Sequence, residues 1–267
     1  MTGGAAAGTR STWSHETLVL ASSGTGRRYQ VWIEAPGRYD PADDRRYPVV
    51  VCLDGPWTFG VVRDAFRLLP LSRELPEAIV VGVAHDQPDL REVLQQRAAD
   101  FTPTPADAPP ATGVRLAASE LGGAGAFARF LADEVLPAVA ARYRTSGDAT
   151  LVGHSFSGLF GLSRLLLDPT WFNRWVLASP SVWWDDRVVF ALEAAQAATG
   201  ADLPTRVFLS CADEDPAFGG HRRFYDQLVA RRRPGLRATW HHFEGETHQS
   251  VIPAALTRGL RQVFAPG

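Results

Sequence analysis

Apolar and polar positions along the chain follow two different periods. Residues 17–21 and 29–35 read as two strands joined by the turn Ser23-Gly-Thr-Gly26, which predicts an antiparallel hairpin. After a polar loop at 36–46, the run Tyr47-Pro-Val-Val-Val-Cys-Leu53 is apolar without alternation, as in a strand covered on both faces. Similar runs at 78–84, 149–153, 175–180, 206–211 and 236–243 predict further strands. Helical spacing predicts helices over 59–75, 125–143, from the end of the 149–153 strand through 167, and over 188–198, 221–231 and 253–264. The 125–143 helix is strongly amphipathic, with Phe127, Phe130, Leu131, Val135, Leu136 and Val139 on one face. From 85 to about 122 the periodicity fails, and prolines and alanines crowd residues 104–110, so this is read as one long connection. Such a connection is either a lid or binding loop or a mobile surface loop.

Strands that alternate with helices predict an α/β fold, with one mostly parallel sheet, helices on both faces and an antiparallel hairpin at its edge. No internal repeat is visible. Residues 1–15, small and polar, are expected to form a flexible arm, and residues 16–267 a single domain.

Composition narrows the function classes. At 267 residues the chain can bury a substantial core, and 45% hydrophobic with 21% charged residues describes an ordinary globule. A net charge of −2 creates no general field for nucleic acid or an anionic membrane, and neither is expected as a partner. All 27 cationic residues are arginine, which removes every lysine-based mechanism. Cys52 and Cys211 each sit in an apolar strand run and are expected to be buried free thiols. The first eight residues lack the charged and apolar regions of a secretory signal, and no apolar run is long enough to span a bilayer, so the expected location is cytoplasmic.

The chemistry gathers around Gly153-His-Ser-Phe-Ser-Gly158, where a buried strand stops and a helix begins at once. A serine on so sharp a strand-to-helix turn resembles a nucleophile elbow, with its hydroxyl raised above the sheet edge at a helix N-terminus. Ser155 is the candidate nucleophile. Ser157 stands where a smaller glycine is usual, and a plain turn serine is the competing reading of Ser155. The elbow needs a base and a carboxylate, which in such sheets follow in the order acid, then histidine, after later strands. Ala212-Asp-Glu-Asp215 follows one late strand and Glu244-Gly-Glu-Thr-His248 follows the last, which makes His248 the candidate base. Three consecutive carboxylates compete for the acid, with Glu214 the first choice and Asp213 or Asp215 behind it.

An oxyanion hole needs two N–H groups. Phe156 supplies the one after the nucleophile. The other is expected from Leu53-Asp-Gly-Pro-Trp57, where Pro56 has no N–H, so Gly55 or Trp57 must serve. The histidines and cysteines show no metal-ligand spacing, and neither metal nor cofactor is expected.

Taken together, the stretches 47–55, 97–104, 127–143, 153–160, 178–184 and 245–250 resemble the Putative esterase family of α/β-hydrolases, which includes enterochelin (ferric siderophore) esterases, esterase D and mycolyltransferases. The resemblance implies an α/β-hydrolase fold and acyl chemistry at Ser155 on a small-molecule ester. It is nearest to the siderophore-esterase-like branch, and it implies that Trp183 and Trp184, which follow Ser-Pro-Ser, line a substrate pocket. Arginines of the long connection, Arg91, Arg97 and Arg115, are candidates to meet an anionic siderophore. Hydrolysis through an acyl-enzyme is the leading expectation. Acyl transfer or cyclisation with the same residues, and a non-catalytic binding protein on the same fold, are the alternatives.

Overall fold

The computed structural model describes residues 15–108, 112–213, 215 and 219–266. Eight strands form one sheet in the order β1-β2-β4-β3-β5-β6-β7-β8. β1 (Glu16–Ala21) pairs antiparallel with β2 (Arg28–Glu34), and β2 antiparallel with β4 (Ile79–His85). From β4 onward every pairing is parallel, through β3 (Tyr47–Leu53), β5 (Thr145–His154), β6 (Arg174–Ala178), β7 (Arg206–Ala212) and β8 (Arg237–Phe243). This is the α/β-hydrolase fold, with the antiparallel edge expected from the hairpin.

Strand β3 explains the unbroken apolar run. It lies between β4 and β5, which pair both of its edges, and helices pack on both of its faces. Val49, Val51 and Leu53 join one core layer beneath α3 (Ala124–Phe130) and α5 (Phe156–Leu167), where Phe127, Phe130 and Phe160 are fully buried. Val50 and Cys52 join the opposite layer beneath α1 (Gly55–Leu68) and α8 (Ile252–Phe264), filled by Phe59, Val62, Leu256 and Leu260. The strand period of two sorts one sequence into two cores. Cys52 and Cys211 are both free and buried.

The elements depart from expectation at α1, in the 125–143 helix and in the region 85–122, and agree with it at the 188–198 helix. Helix α1 begins at Gly55 and closes at Leu68, because proline is accommodated in a first helical turn and Pro70 cannot continue the helix. The expected 125–143 helix is interrupted by a π-turn at Leu131–Val135, where the Leu136 N–H reaches back to the Leu131 carbonyl, before α4 (Leu136–Ala140). Helix α6 (Trp184–Ala198) includes Asp185, Asp186 and Arg187 in left-handed conformations, so its regular part begins at Val188, as the spacing predicted. The region 85–122 is not one open connection, since α2 (Leu90–Phe101) occupies its first third. Residues 1–14 of the expected arm and 109–111 of the connection lie outside the described residues.

Helix α2 escaped the sequence reading because its buried side carries charge. Arg97 and Asp100 are 8% and 0% exposed, so a hydrophobic pattern breaks where the helix is most deeply packed. Asp100 accepts hydrogen bonds from Tyr29 Oη at 2.6 Å and Arg27 at 2.8 Å, and pairs with His85 Nε2 at 2.9 Å. Those bonds fasten α2 to β2 and β4, and they place Arg97 at the carboxyl ends of the strands.

Candidate active site

The elbow forms where β5 meets α5. Ser155 has φ 61° and ψ −119°, a conformation that is costly for a residue with a Cβ and persists only where surroundings enforce it. Here the Ser155 N–H donates to the Ala178 carbonyl of β6, and the Ser155 carbonyl accepts from Ser181 and Leu159. Gly153 is required by close approach, since a Cβ there would lie 2.4 Å from the Ser157 carbonyl oxygen. The serine in place of glycine at 157 is accommodated and bonded: its hydroxyl donates to Asp54 Oδ2 at 2.7 Å and accepts from the His154 N–H at 2.9 Å.

Asp54, at the end of β3, joins this turn to two other elements. Its φ of 57° and ψ of 47° are left-handed, and Arg97 Nε donates to its Oδ1 at 2.7 Å. Arg97 also donates to the His154 carbonyl. The ion pair is buried, with side-chain exposures of 9% and 3%. One carboxylate therefore ties β3, α2 and the elbow together. The same bend engages one of the two N–H groups expected from this loop. The Trp57 N–H donates to the Asp54 carbonyl at 2.9 Å and is not available, which corrects the expectation for Trp57. Gly55 and Phe156 are the first residues of α1 and α5, where N–H groups have no intrahelical acceptor.

His248 follows β8, and its Nδ1 lies 2.6 Å from Asp215 Oδ1. The carboxylate on the histidine is Asp215 rather than the first-choice Glu214, which lies outside the described residues. Asp215 is buried, and its other oxygen accepts the Ala212 N–H at 2.7 Å, so the chain turns back on itself just after β7. Burial pushes the Asp215 carboxyl up, but the hydrogen bonds from His248 and Ala212 outweigh it and hold the group below the usual carboxylate value. Asp213, the third contender, turns outward to His242 Nε2 at 2.6 Å and to the Gly245 N–H, which braces the loop leading to His248.

Two more histidines flank this pair. The ring of His154 lies 4.5 Å from that of His248, and burial, then the charges of His248 and Arg97, lower its value to about 3, so it stays neutral. His221 is 3% exposed, with Nε2 on the Pro180 carbonyl at 2.8 Å. Cys211, Asp215 and His221 bring donor atoms within 4.8 Å of one another, a grouping that sequence spacing did not reveal. Asp215 is already engaged at both oxygens, by His248 and by the Ala212 N–H, and burial and nearby carboxylates raise the Cys211 thiol to about 12.

Ser155, Phe156, His154 and His248 open onto one cavity of about 960 Å³, whose walls include Trp57, Leu90, Leu94, Trp183, Ile252 and Pro253. Arg97 and Ser181 also line it. Trp183 reaches it as expected. Trp184 does not: it is 1% exposed and donates through Nε1 to Thr104, so it packs in the core.

The fold and this site define the class: an ester-hydrolysing enzyme of the serine hydrolase class. The Putative esterase family model matches residues 22–222, and the chain belongs to that family. It is 27% identical over 263 residues to the ferri-bacillibactin esterase BesA of Bacillus subtilis, covering 94% of this chain and 90% of the relative. It is 25% identical to the siderophore triacetylfusarinine C esterase of Aspergillus fumigatus over 90% of this chain and 89% of the relative. Among solved structures, the BES protein of Bacillus cereus superposes with a TM-score of 0.82 at 28% identity, over 97% of this chain and 98% of that one. An IroE-like serine hydrolase of Shewanella oneidensis gives 0.80 at 27% identity, over 94% and 80%.

Proposed function

We propose that the chain is a cytoplasmic serine esterase that cleaves a carboxylic ester of a siderophore or other natural product through an acyl-enzyme. The observation that carries this reading is the 2.6 Å contact of His248 Nδ1 with Asp215, in a histidine that shares its cavity with the strained Ser155. Asp215 fixes the tautomer in which Nδ1 carries the proton, which leaves Nε2 as the base. His248 takes the Ser155 proton as the hydroxyl oxygen attacks the ester carbonyl. The Phe156 and Gly55 N–H groups hold the oxyanion. Protonated His248 gives its proton to the departing alkoxide, and water then attacks the acyl-enzyme with His248 again as base. The similarity to siderophore esterases supports a substrate of that kind, and the free thiols of Cys52 and Cys211 accord with a reducing compartment.

Fluorophosphonate labelling tests the nucleophile. The wild-type protein should label, and Ser155→Ala and His248→Ala should not, with the circular dichroism of all three unchanged. Equal labelling of Ser155→Ala would sink the assignment. An unlabelled, folded wild type would favour a binding role. Product analysis with an added alcohol separates hydrolysis, which yields free acid, from acyl transfer, which yields the new ester.

A further inference from the structure

We propose that the cavity at Ser155 selects esters that carry no net negative charge near the scissile bond, and disfavours anionic ones, a ferric tris-catecholate included. The inference rests on the esterase reading and specifies its substrate.

The walls are mostly apolar, with Trp57, Leu90, Leu94, Phe156, Trp183 and Ile252, and the polar lining residues Thr112, Ser181 and Gln249 carry no charge. Arg97 is the one arginine among the described lining residues, and its charge is already matched. Nε sits 2.7 Å from the Asp54 carboxylate, and the guanidinium lies 5.4 Å from the Phe156 ring centroid and 5.7 Å from that of Trp57. The pair is close to neutral toward a ligand, though Arg97 can still donate a hydrogen bond to an uncharged oxygen. His154 is held neutral by burial, and His248 must be neutral to act as a base. Arg91 and Arg115, the other arginines from the same stretch, are exposed and do not line the cavity. A carboxylate or catecholate entering here would lose its hydration without gaining a counter-charge, which is costly in an apolar setting.

A second observation points the same way. Trp57 and Leu90 are 38% and 59% exposed at the walls of this cavity, and large apolar groups left in water at a pocket are the ones a ligand covers. Iron chemistry makes the distinction sharp. Three catecholates leave Fe³⁺ with a net negative charge, whereas three hydroxamates leave it neutral, so the cavity fits the second kind, an iron-free ester, or a plain aryl or alkyl ester.

Two matched pairs of esters test this. One places the charge on the acyl side, p-nitrophenyl hexanoate against mono-p-nitrophenyl adipate. The other places it on the alcohol side, phenyl acetate against para-acetoxybenzoate. Ser155-dependent kcat/KM should favour the neutral member of each pair by at least about tenfold. Leu90→Arg, which puts a cation at an exposed wall position, should narrow the gap, and added salt should restore it. Equal or faster Ser155-dependent turnover of the anionic member in either pair overturns the inference and leaves the esterase reading intact. A gap that Leu90→Arg does not change would show that shape rather than charge sets it, and overturns it as well. No Ser155-dependent turnover of any of the four would overturn the esterase reading itself, and this inference with it.

Discussion

Asp213 and Asp215 lie two residues apart and have opposite surroundings. Asp213 faces solvent and braces a loop through Gly245, whereas Asp215 is folded back under the Ala212 N–H and meets His248. Asp215→Asn should preserve the fold and reduce kcat by about 10³–10⁴, because the amide favours the wrong imidazole tautomer. Glu214→Gln should stay within a few fold of wild type; steady-state kinetics on a neutral ester decides between them. That Ser155 and His248 would share one cavity was legible in the sequence, because each follows a strand and such loops gather at the carboxyl edge of the sheet. Which carboxylate meets His248 was not legible, since Asp213 and Asp215 lie two residues apart in one polar run and only the turn after β7 sends one to His242 and the other to His248. The donor loop was half legible: Pro56 excluded itself, but only the bend at Asp54 shows that Trp57 turns its N–H inward.

Helix α2 shows what an element contributes when its buried side is charged. It is held by Arg97 to Asp54 and by Asp100 to Tyr29, Arg27 and His85, and these bonds cross from the helix to three strands. Arg97→Leu would leave Asp54 buried without its counter-charge and should destabilise the protein by about 3–5 kcal/mol, measured by urea unfolding. Part of that loss should appear as a lower kcat, because Asp54 also bonds Ser157 in the elbow. An Arg97→Leu protein as stable and active as wild type would mean that the pair is ornamental. The strands were legible because both faces of the sheet are covered and the apolar runs are unbroken. The charged inner face of α2 hid it, whereas the regular part of α6 begins at Val188, where the spacing placed it.

For the whole molecule, the buried histidines set the response to acid. His154 titrates near 6.5 in an unfolded chain and near 3 when folded, so between those values the unfolded state binds more protons and stability falls as pH falls. His221, lowered chiefly by burial, adds in the same direction. Asp215, held low despite its burial, contributes stability above the ordinary carboxylate range that is lost as pH drops through its folded value. Thermal melts from pH 7 to 4 should show a falling midpoint, with the steepest loss below about pH 6.5, and His154→Gln should flatten it. A wild-type midpoint independent of pH over that range would contradict the burial of neutral histidines. The strand order carries a further consequence, for synthesis of the chain. β3 pairs with β4 soon after both emerge, but its other neighbour, β5, begins at Thr145, roughly 90 residues after β3 ends at Leu53. At about 5–20 residues per second, the edge of β3 that β5 will pair waits on the order of 5–20 s on the ribosome without its partner. For that interval the nascent chain presents an apolar strand edge, and its yield in a cell depends on what shields that edge until β5 arrives.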